Sequence, residues 1–412
     1  MNQQPIKILA IFDYNSFTGF ASVSKNLVAQ WKKTFGDRLF LDIVAVNYFG
    51  EDYKEGENIR VISAKKKDVV EDDFGRYVFL ASVRDGDYDL VFILQDLGIV
   101  CPIVKHLKEL KEKKRQENKK QFKSIFYFPV DCALTPGLGV GLEFFDSLAT
   151  YTEYGRQQVY LLRPDLKGKV KVIPHGNNME HFHPLPEAEV KSFKQSYFGK
   201  NANKFIIGCV NRNQSRKDIP TTIFGFMEYW EEHNPNALLY LHMHPKDPMG
   251  WNLRNILGQT PLKEGEHFMF PPEEDCNKGA DLSKMNLLYN SFDVFLTTAT
   301  GGGWELTATE AMACKKPTIL PKHTSFQHLG GVNGERTYFL ETLYPIVSTA
   351  DNIIRFQSDL YEIAETLNLV KSHIDSGSEE LKGKVEKAYK FVESLDWKDI
   401  AKTFSDEIKR LT

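Results

Sequence analysis

The sequence predicts an α/β protein of two doubly wound lobes facing a central cleft, and three observations carry that expectation. Short apolar runs of buried-strand type alternate with stretches of helical periodicity, which argues parallel sheets covered by helices on both faces. The alternation is interrupted around His181–Lys200, where Pro184, Pro186 and polar residues read as a linker, and then restarts. The chain has 412 residues, enough for more than one domain at about 150 residues each. In such sheets ligands bind beyond the carboxyl ends of the strands.

The elements follow in order. Ile6–Phe12 is a buried strand that breaks into a polar loop with Gly19 near its end. Val23, Leu27, Trp31 and Phe35 then recur every fourth residue, one face of a helix. Leu41–Val46, Leu90–Leu94, Ser124–Phe128, Leu148–Tyr151 and Val170–Ile173 read as the remaining strands of the first lobe. The second lobe opens with a strand at Phe205–Val210 and a helix after Pro220. Strands at Leu238–His242 and Val294–Thr298, a helix through Ala313, a strand at Pro317–Leu320 and C-terminal helices complete it.

Composition narrows the function classes. Hydrophobic residues make up 42% and charged residues 26%, which excludes disorder for most of the chain. With 52 Lys plus Arg against 55 Asp plus Glu, no overall attraction to nucleic acid or anionic membrane exists, so any such contact must come from a local patch. Lys105–Lys123, with nine basic residues and three Glu, is the candidate patch; its ordinary reading is a solvated helix or surface hairpin. The five cysteines are scattered without a CxxC, so neither a disulfide framework nor a zinc site is expected, and a reducing cytoplasm is. The N-terminus lacks a leader pattern, and apolar runs such as Leu90–Leu94 fall far short of the roughly 20 residues of a membrane span. His242 and His244 alternate at a strand end without a third metal ligand. GxSxG, HExxH, Walker and GxGxxG patterns are absent.

Two constellations can carry chemistry. In Gly208-Cys-Val-Asn-Arg-Asn-Gln-Ser-Arg-Lys-Asp-Ile-Pro220 a strand runs into a loop with Arg212, Arg216 and Lys217, and Pro220 opens a helix. Fixed cations facing free helix N–H groups suit a diphosphate. In Thr300-Gly-Gly-Gly-Trp-Glu-Leu-Thr-Ala-Thr-Glu-Ala-Met-Ala313, three glycines after a strand permit close backbone approach to a ligand. Glu310 has two readings: Thr307-Ala-Thr-Glu310 has capping-box spacing, and a carboxylate beside a glycine-rich turn can also hold sugar hydroxyls.

With these in order, the chain resembles the retaining glycosyltransferases of family 4 (glycosyl transferases group 1), whose GT-B fold sets two Rossmann-like domains facing a central cleft. The likeness rests on the Gly19 loop, Val172-Ile-Pro-His-Gly-Asn-Asn-Met-Glu-His-Phe-His-Pro184, the Arg212 and Lys217 pair, Thr309-Glu-Ala-Met-Ala-Cys-Lys-Lys-Pro-Thr-Ile319 and Leu395-Asp-Trp-Lys-Asp-Ile-Ala401. It implies an acceptor domain over 1–184, completed by the C-terminal helix 394–412, and a donor domain over 185–393. It also implies retaining, metal-independent transfer of a sugar from a UDP- or GDP-linked donor, with no further cofactor, to a hydroxyl of a glycan, a lipid-linked intermediate or a small molecule.

On that resemblance Arg212 and Lys217 neutralise the diphosphate, and Glu310 binds the ribose. Gly302, Gly303, Trp304, Glu305, Leu306 and Thr307 border the donor, while Gly19 and Phe20 border acceptor and phosphate. The sequence departs from the family on the sugar side. Gly302 stands where a Glu faces the donor sugar, Glu305 where Gly is preferred, and Asp131 where a catalytic-region His is frequent. The Asn211-Arg-Asn-Gln wording is similar to members carried by bacteriophages and large viruses, so a hydroxymethylated DNA base, contacted through Lys105–Lys123, is an alternative acceptor. A catalytically weak nucleotide-sugar-binding relative is the other alternative.

Overall fold

The computed structural model describes residues 4–16, 18–65, 72–348 and 352–412. The first three residues, part of the stretch that lacks a leader pattern, and Phe17 of the first loop lie outside them. The chain divides into two compact units, Met1–Gly176 with Trp397–Thr412, and Asn177–Asp396. Pro184 and Pro186, read along the sequence as a free linker, place the division at 184. That segment is instead bonded into the second unit. The His183 and Leu185 N–H groups donate to the side-chain oxygens of Asn286 and Asn290, at 3.2 and 3.0 Å, and the Asn290 amide donates back to the His183 carbonyl at 2.9 Å.

Among the described residues the first unit carries eight strands: β1 Ile6–Asp13, β2 Leu39–Val46, β3 Tyr53–Lys54, β4 Ile59–Ser63, β5 Leu90–Leu94, β6 Lys123–Phe128, β7 Ser147–Thr150 and β8 Val170–Val172. Their order in the sheet is β3-β4-β2-β1-β5-β6-β7-β8. Every pair is parallel except β3 with β4. Strands β1 and β5 are apolar almost throughout because helices cover both faces of the sheet, which is what a parallel sheet requires. The chain leaves β1 toward β2 and β4, then returns to β5 on the other side, so the switch point lies between β1 and β5.

Helix Gly19–Phe35 starts at that point. Thr18 caps it, accepting from the Ala21 N–H at 3.1 Å, and Val23, Leu27, Trp31 and Phe35 are its buried face, as their spacing predicts. Asp13 at the end of β1 accepts from the Thr18 hydroxyl and from the Asn47 amide, at 2.5 and 2.9 Å, which ties the helix start to the ends of β1 and β2. The C-terminal helix Trp397–Leu411 belongs to this unit. Its Phe404 lies edge-on to Phe92 of β5 at 5.4 Å, and Trp31 meets the same ring at 4.9 Å.

In the second unit the parallel sheet runs β11-β10-β9-β12-β13-β14. The strands are β9 Phe205–Val210, β10 Ala237–His242, β11 Phe268–Met269, β12 Val294–Leu296, β13 Thr318–Pro321 and β14 Tyr338–Leu340. An antiparallel hairpin, β15 Thr342–Val347 with β16 Ile354–Ser358, follows. Here the switch point lies between β9 and β12, since the chain leaves β9 toward β10 and β11 and comes back on the opposite side.

Gly208 in the middle of β9 is required by packing rather than by a turn, because a Cβ there would overlap the Phe292 ring. Gly208→Ala is expected to cost about 1–3 kcal/mol, as overpacking of a close-packed core does, and urea unfolding of the variant checks it.

Candidate functional site

The loops leaving β9 and β12 meet at the switch point of the second unit. After β9, Asn211–Gln214 is a polar loop in which the Gln214 N–H donates to the Arg212 carbonyl at 2.8 Å, Ser215–Lys217 makes one 3-10 turn, and Asp218 enters a left-handed conformation (φ 48°) before helix Ile219–Glu232 begins. After β12, residues 297–305 form the glycine turn, and helix Leu306–Ala313 follows. The loops are stitched together: the Thr300 N–H and hydroxyl donate to the Arg216 carbonyl at 2.8 and 3.1 Å, and the Thr298 hydroxyl donates to the Asp218 carbonyl at 2.9 Å. An Arg216 guanidinium N–H donates to the Gly301 carbonyl at 3.2 Å.

At the centre of this edge is an ion pair. The Lys217 ammonium donates to both carboxylate oxygens of Glu305, at 2.7 and 2.6 Å, and only 9% and 3% of the two side chains remains exposed. The Thr307 hydroxyl donates to Glu305 Oε1 at 3.1 Å. Burial pulls the Lys217 ammonium below the usual lysine range, and the Glu305 carboxylate opposes that pull. Arg212 is placed differently. Its side chain is 56% exposed and pairs with Asp247 at 3.0 Å, so Arg216, not Arg212, stands with Lys217 beside the glycine turn. The order of basic residues along the loop carries no signal for this; the 3-10 turn decides it.

Glu310 is not the third residue of a capping box. The helix begins at Leu306 with Glu305 at its N-cap, so Thr307 lies inside the first turn and cannot cap. Glu310 instead accepts from the Tyr289 hydroxyl at 2.6 Å. Burial, reinforced by Glu305 and opposed by the Tyr289 bond, raises its carboxyl to about 7. Tyr289 went unnoticed in the sequence because nothing in helix Leu282–Ser291 distinguishes it from an ordinary core aromatic.

Gly302 is held by Thr324, whose hydroxyl accepts from the Gly302 N–H at 3.3 Å, and the Ser325 N–H donates back to the Gly302 carbonyl at 3.3 Å. A Cβ at 302 would come within 3.2 Å of the Ser325 hydroxyl and 3.3 Å of Phe326, so the space a side chain would use is filled. Thr324 has φ 47°, a genuine outlier for a β-branched residue, at the carboxyl end of β13. Trp304 is buried with its ring 5.5 Å from His328, and Gly303 is buried beside it.

The remaining candidates belong to the first unit. Gly19 and Phe20 open helix Gly19–Phe35 at the β1/β5 switch point. Asp131 lies three residues past β6, half-buried. In Lys105–Lys123 the helical part is Val104–Gln116. Most cations of the Lys105–Lys123 run are engaged: Lys108 with Glu143, Lys111 and Lys123 with Asp146, Arg115 with Glu112, Lys119 with Glu117, Lys120 with Asp89. Lys114 is buried and donates to the Gly86 carbonyl at 2.8 Å. Among the described residues no group of three or more His, Cys, Asp or Glu could hold a metal ion, and no helix is long and apolar enough to cross a membrane. His242 is bonded to the Tyr240 hydroxyl, and His244 accepts from the Lys246 N–H.

Two parallel doubly wound units, the first completed by the C-terminal helix, define the GT-B fold of glycosyltransferases. Solved structures share it. Sucrose-phosphate synthase from Thermosynechococcus elongatus matches with a TM-score of 0.69 at 16% identity, covering 99% of each chain. Anabaena HepE, solved in complex with UDP-glucose, matches with a TM-score of 0.67 at 13% identity, covering 98% of this chain and 100% of that one. In sequence, a probable sucrose-phosphate synthase from Thermosipho melanesiensis is 22% identical over 299 residues; the match spans 65% of this chain and 65% of that relative. These likenesses support the GT-B class and not family 4 in particular. No family model matches the chain.

Breaking the buried pair from one side leaves an uncompensated charge. Lys217→Ala is therefore expected to destabilise the protein by about 3–5 kcal/mol, read from urea unfolding without ligand.

Glu310 supplies a pH signature. Its folded carboxyl keeps a proton up to about 7, where the unfolded chain has already lost its own. The folded state then binds more protons across that window, so stability falls as pH rises through it, by up to about 1.4 kcal/mol per pH unit. Glu310→Gln should flatten this slope, measured by denaturation at about pH 5 and about pH 8.

Proposed function

We propose that the protein is a nucleotide-sugar glycosyltransferase that transfers sugar with retention and without a metal ion. The observation that carries this reading is the switch-point edge of the second unit. There two loops bring Arg216 and Lys217, a glycine turn and the starts of two helices together. That set matches the leaving group of such a reaction, a diphosphate on which charge grows as the glycosidic bond breaks. Preorganised cations and backbone N–H groups stabilise developing charge best where water is excluded, and fixed cations then do the work of a divalent ion. The relatives' UDP-glucose complex and their sucrose-phosphate synthase names support a nucleotide-sugar donor, UDP- or GDP-linked.

In this reading Glu310, oriented by Tyr289, accepts from the ribose hydroxyls, and the backbone near Leu306 and Thr307 faces the phosphates. Arg212 reaches the diphosphate by exchanging Asp247 for it. Gly302 leaves the sugar side without a carboxylate. The first unit serves the acceptor, with Gly19 and Phe20 at its border and Asp131 as its catalytic carboxylate. The acceptor is a hydroxyl of a glycan, a lipid-linked intermediate or a small molecule, and the sucrose-phosphate synthase relatives favour the last of these. A cytoplasmic setting suits the five free cysteines.

Thermal melting with UDP, GDP and their sugars tests the donor assignment. A cognate diphosphate at a hundred times its Kd is expected to add about 2.7 kcal/mol. No response to any nucleoside diphosphate overturns the reading. With a reactive pair in hand, an inverted product overturns retention, and loss of turnover in EDTA overturns metal independence.

A further inference from the structure

Glu305 stands at the N-cap of helix Leu306–Ala313 and yet does not cap it. Its carbonyl accepts from the Ala308 and Thr309 N–H groups at 3.2 Å each, while its side chain makes no bond to the helix N–H groups. A Ser, Thr, Asp or Asn at an N-cap turns its side chain onto those donors, and the longer Glu305 side chain does not. Here the carboxylate turns to Lys217 and takes two contacts from one ammonium, with the Thr307 hydroxyl fixing Oε1. Both partners are buried. The two groups come from loops that follow different strands, so the pair is a product of the site and not of local helix chemistry.

We propose that Glu305 is an internal stand-in for phosphate: it occupies Lys217 in the donor-free protein, and the donor's diphosphate displaces it. This rests on the reading of the second unit as a diphosphate site. Lys217 can neutralise a diphosphate only by giving up or sharing its present anion. Sharing would bury a carboxylate against a polyanion, the like-charge arrangement a low-dielectric site tolerates least. Displacement removes that conflict. It makes Glu305 a specificity-determining residue, because a ligand must offer more negative charge than one carboxylate to win the ammonium. A nucleoside, or a carboxylate ligand, does not.

The test compares the intact protein with Glu305→Gln by titration calorimetry, using UDP, GDP, inorganic pyrophosphate and the bare nucleosides. The glutamine is isosteric and can still accept from Lys217 and Thr307, so the contacts are kept while the charge is removed. Affinity for the diphosphates and pyrophosphate is expected to rise about tenfold or more, the scale of a charge-assisted contact, with nucleoside affinity unchanged. Unchanged or weaker diphosphate binding overturns the proposal and makes Glu305 a group that positions Lys217. A parallel rise for the nucleosides also overturns it. Should the glutamine variant fail to fold, Glu305→Asp, which keeps the charge but shortens its reach to Lys217, is read the same way. If the wild-type protein binds diphosphates but the variant binds them no tighter, only this proposal fails; if neither protein binds any diphosphate, the donor reading fails with it.

Discussion

Parallel pairing of β9 with β12 points both carboxyl ends the same way, so the loops that follow them must meet at one edge of the sheet. A crossover connection cannot return through the sheet, and the chain spends residues 211–293 on the far side before it comes back beside β9. Once the strands are in register, the Arg216 carbonyl lies where Thr300 can donate to it, and the Asp218 carbonyl where Thr298 can. The glycine turn, the 3-10 turn and the two helix starts are consequences of that register. The same constraint acts at β1 and β5 in the first unit, where Asp13 ties a helix start to two strand ends.

That edge concentrates unlike demands. A site for a polyanion needs fixed cations, but cations gathered without a ligand repel one another and lose solvation. The structure answers with internal acceptors. Lys217 has Glu305, Arg212 has Asp247, and Arg216 has the Gly301 carbonyl. The acceptors differ in depth: Arg212 is largely solvated, so its pair contributes little in water, whereas the Lys217 pair is buried and engages both Glu305 oxygens. Glu310 then sits in a desolvated setting and in the field of Glu305, and burial above all raises its carboxyl to about 7. The electrostatics of this edge is thus arranged around Lys217.

What could be read from the sequence follows from what is local. The strands of a parallel sheet are buried on both faces, so Ile6–Phe12, Leu90–Leu94 and Phe205–Val210 announce themselves as apolar runs. Ile59–Ser63 does not, because Arg60 on it faces solvent and pairs with Asp42. Tyr338–Leu340 is too short to carry a pattern. In the site, the glycine turn and the loop cations are legible as residue types. Which cation turns inward is not, and neither is the Lys217–Glu305 contact, whose partners lie 88 residues apart. The Thr307–Glu310 spacing misleads because a local rule was satisfied by a helix that had already started at Leu306.

The Lys105–Lys123 segment carries the same lesson in charge. A run of nine basic residues with three Glu looks like a positive surface when it is read along the chain. In the folded unit the sheet brings Asp89, Glu143 and Asp146 alongside it, and Lys114 is drawn inward onto a carbonyl. Exposed pairs of this kind add little stability, yet they matter for recognition. A phosphate arriving at Lys120 or Lys123 must compete with a carboxylate already within about 3 Å, and the counterions available for release, which drive nucleic-acid binding, are correspondingly fewer. The charge that a partner meets is the charge left after the fold has paired its own groups. By that measure the run presents less free positive charge than its sequence counts, because its own unit has paired much of it.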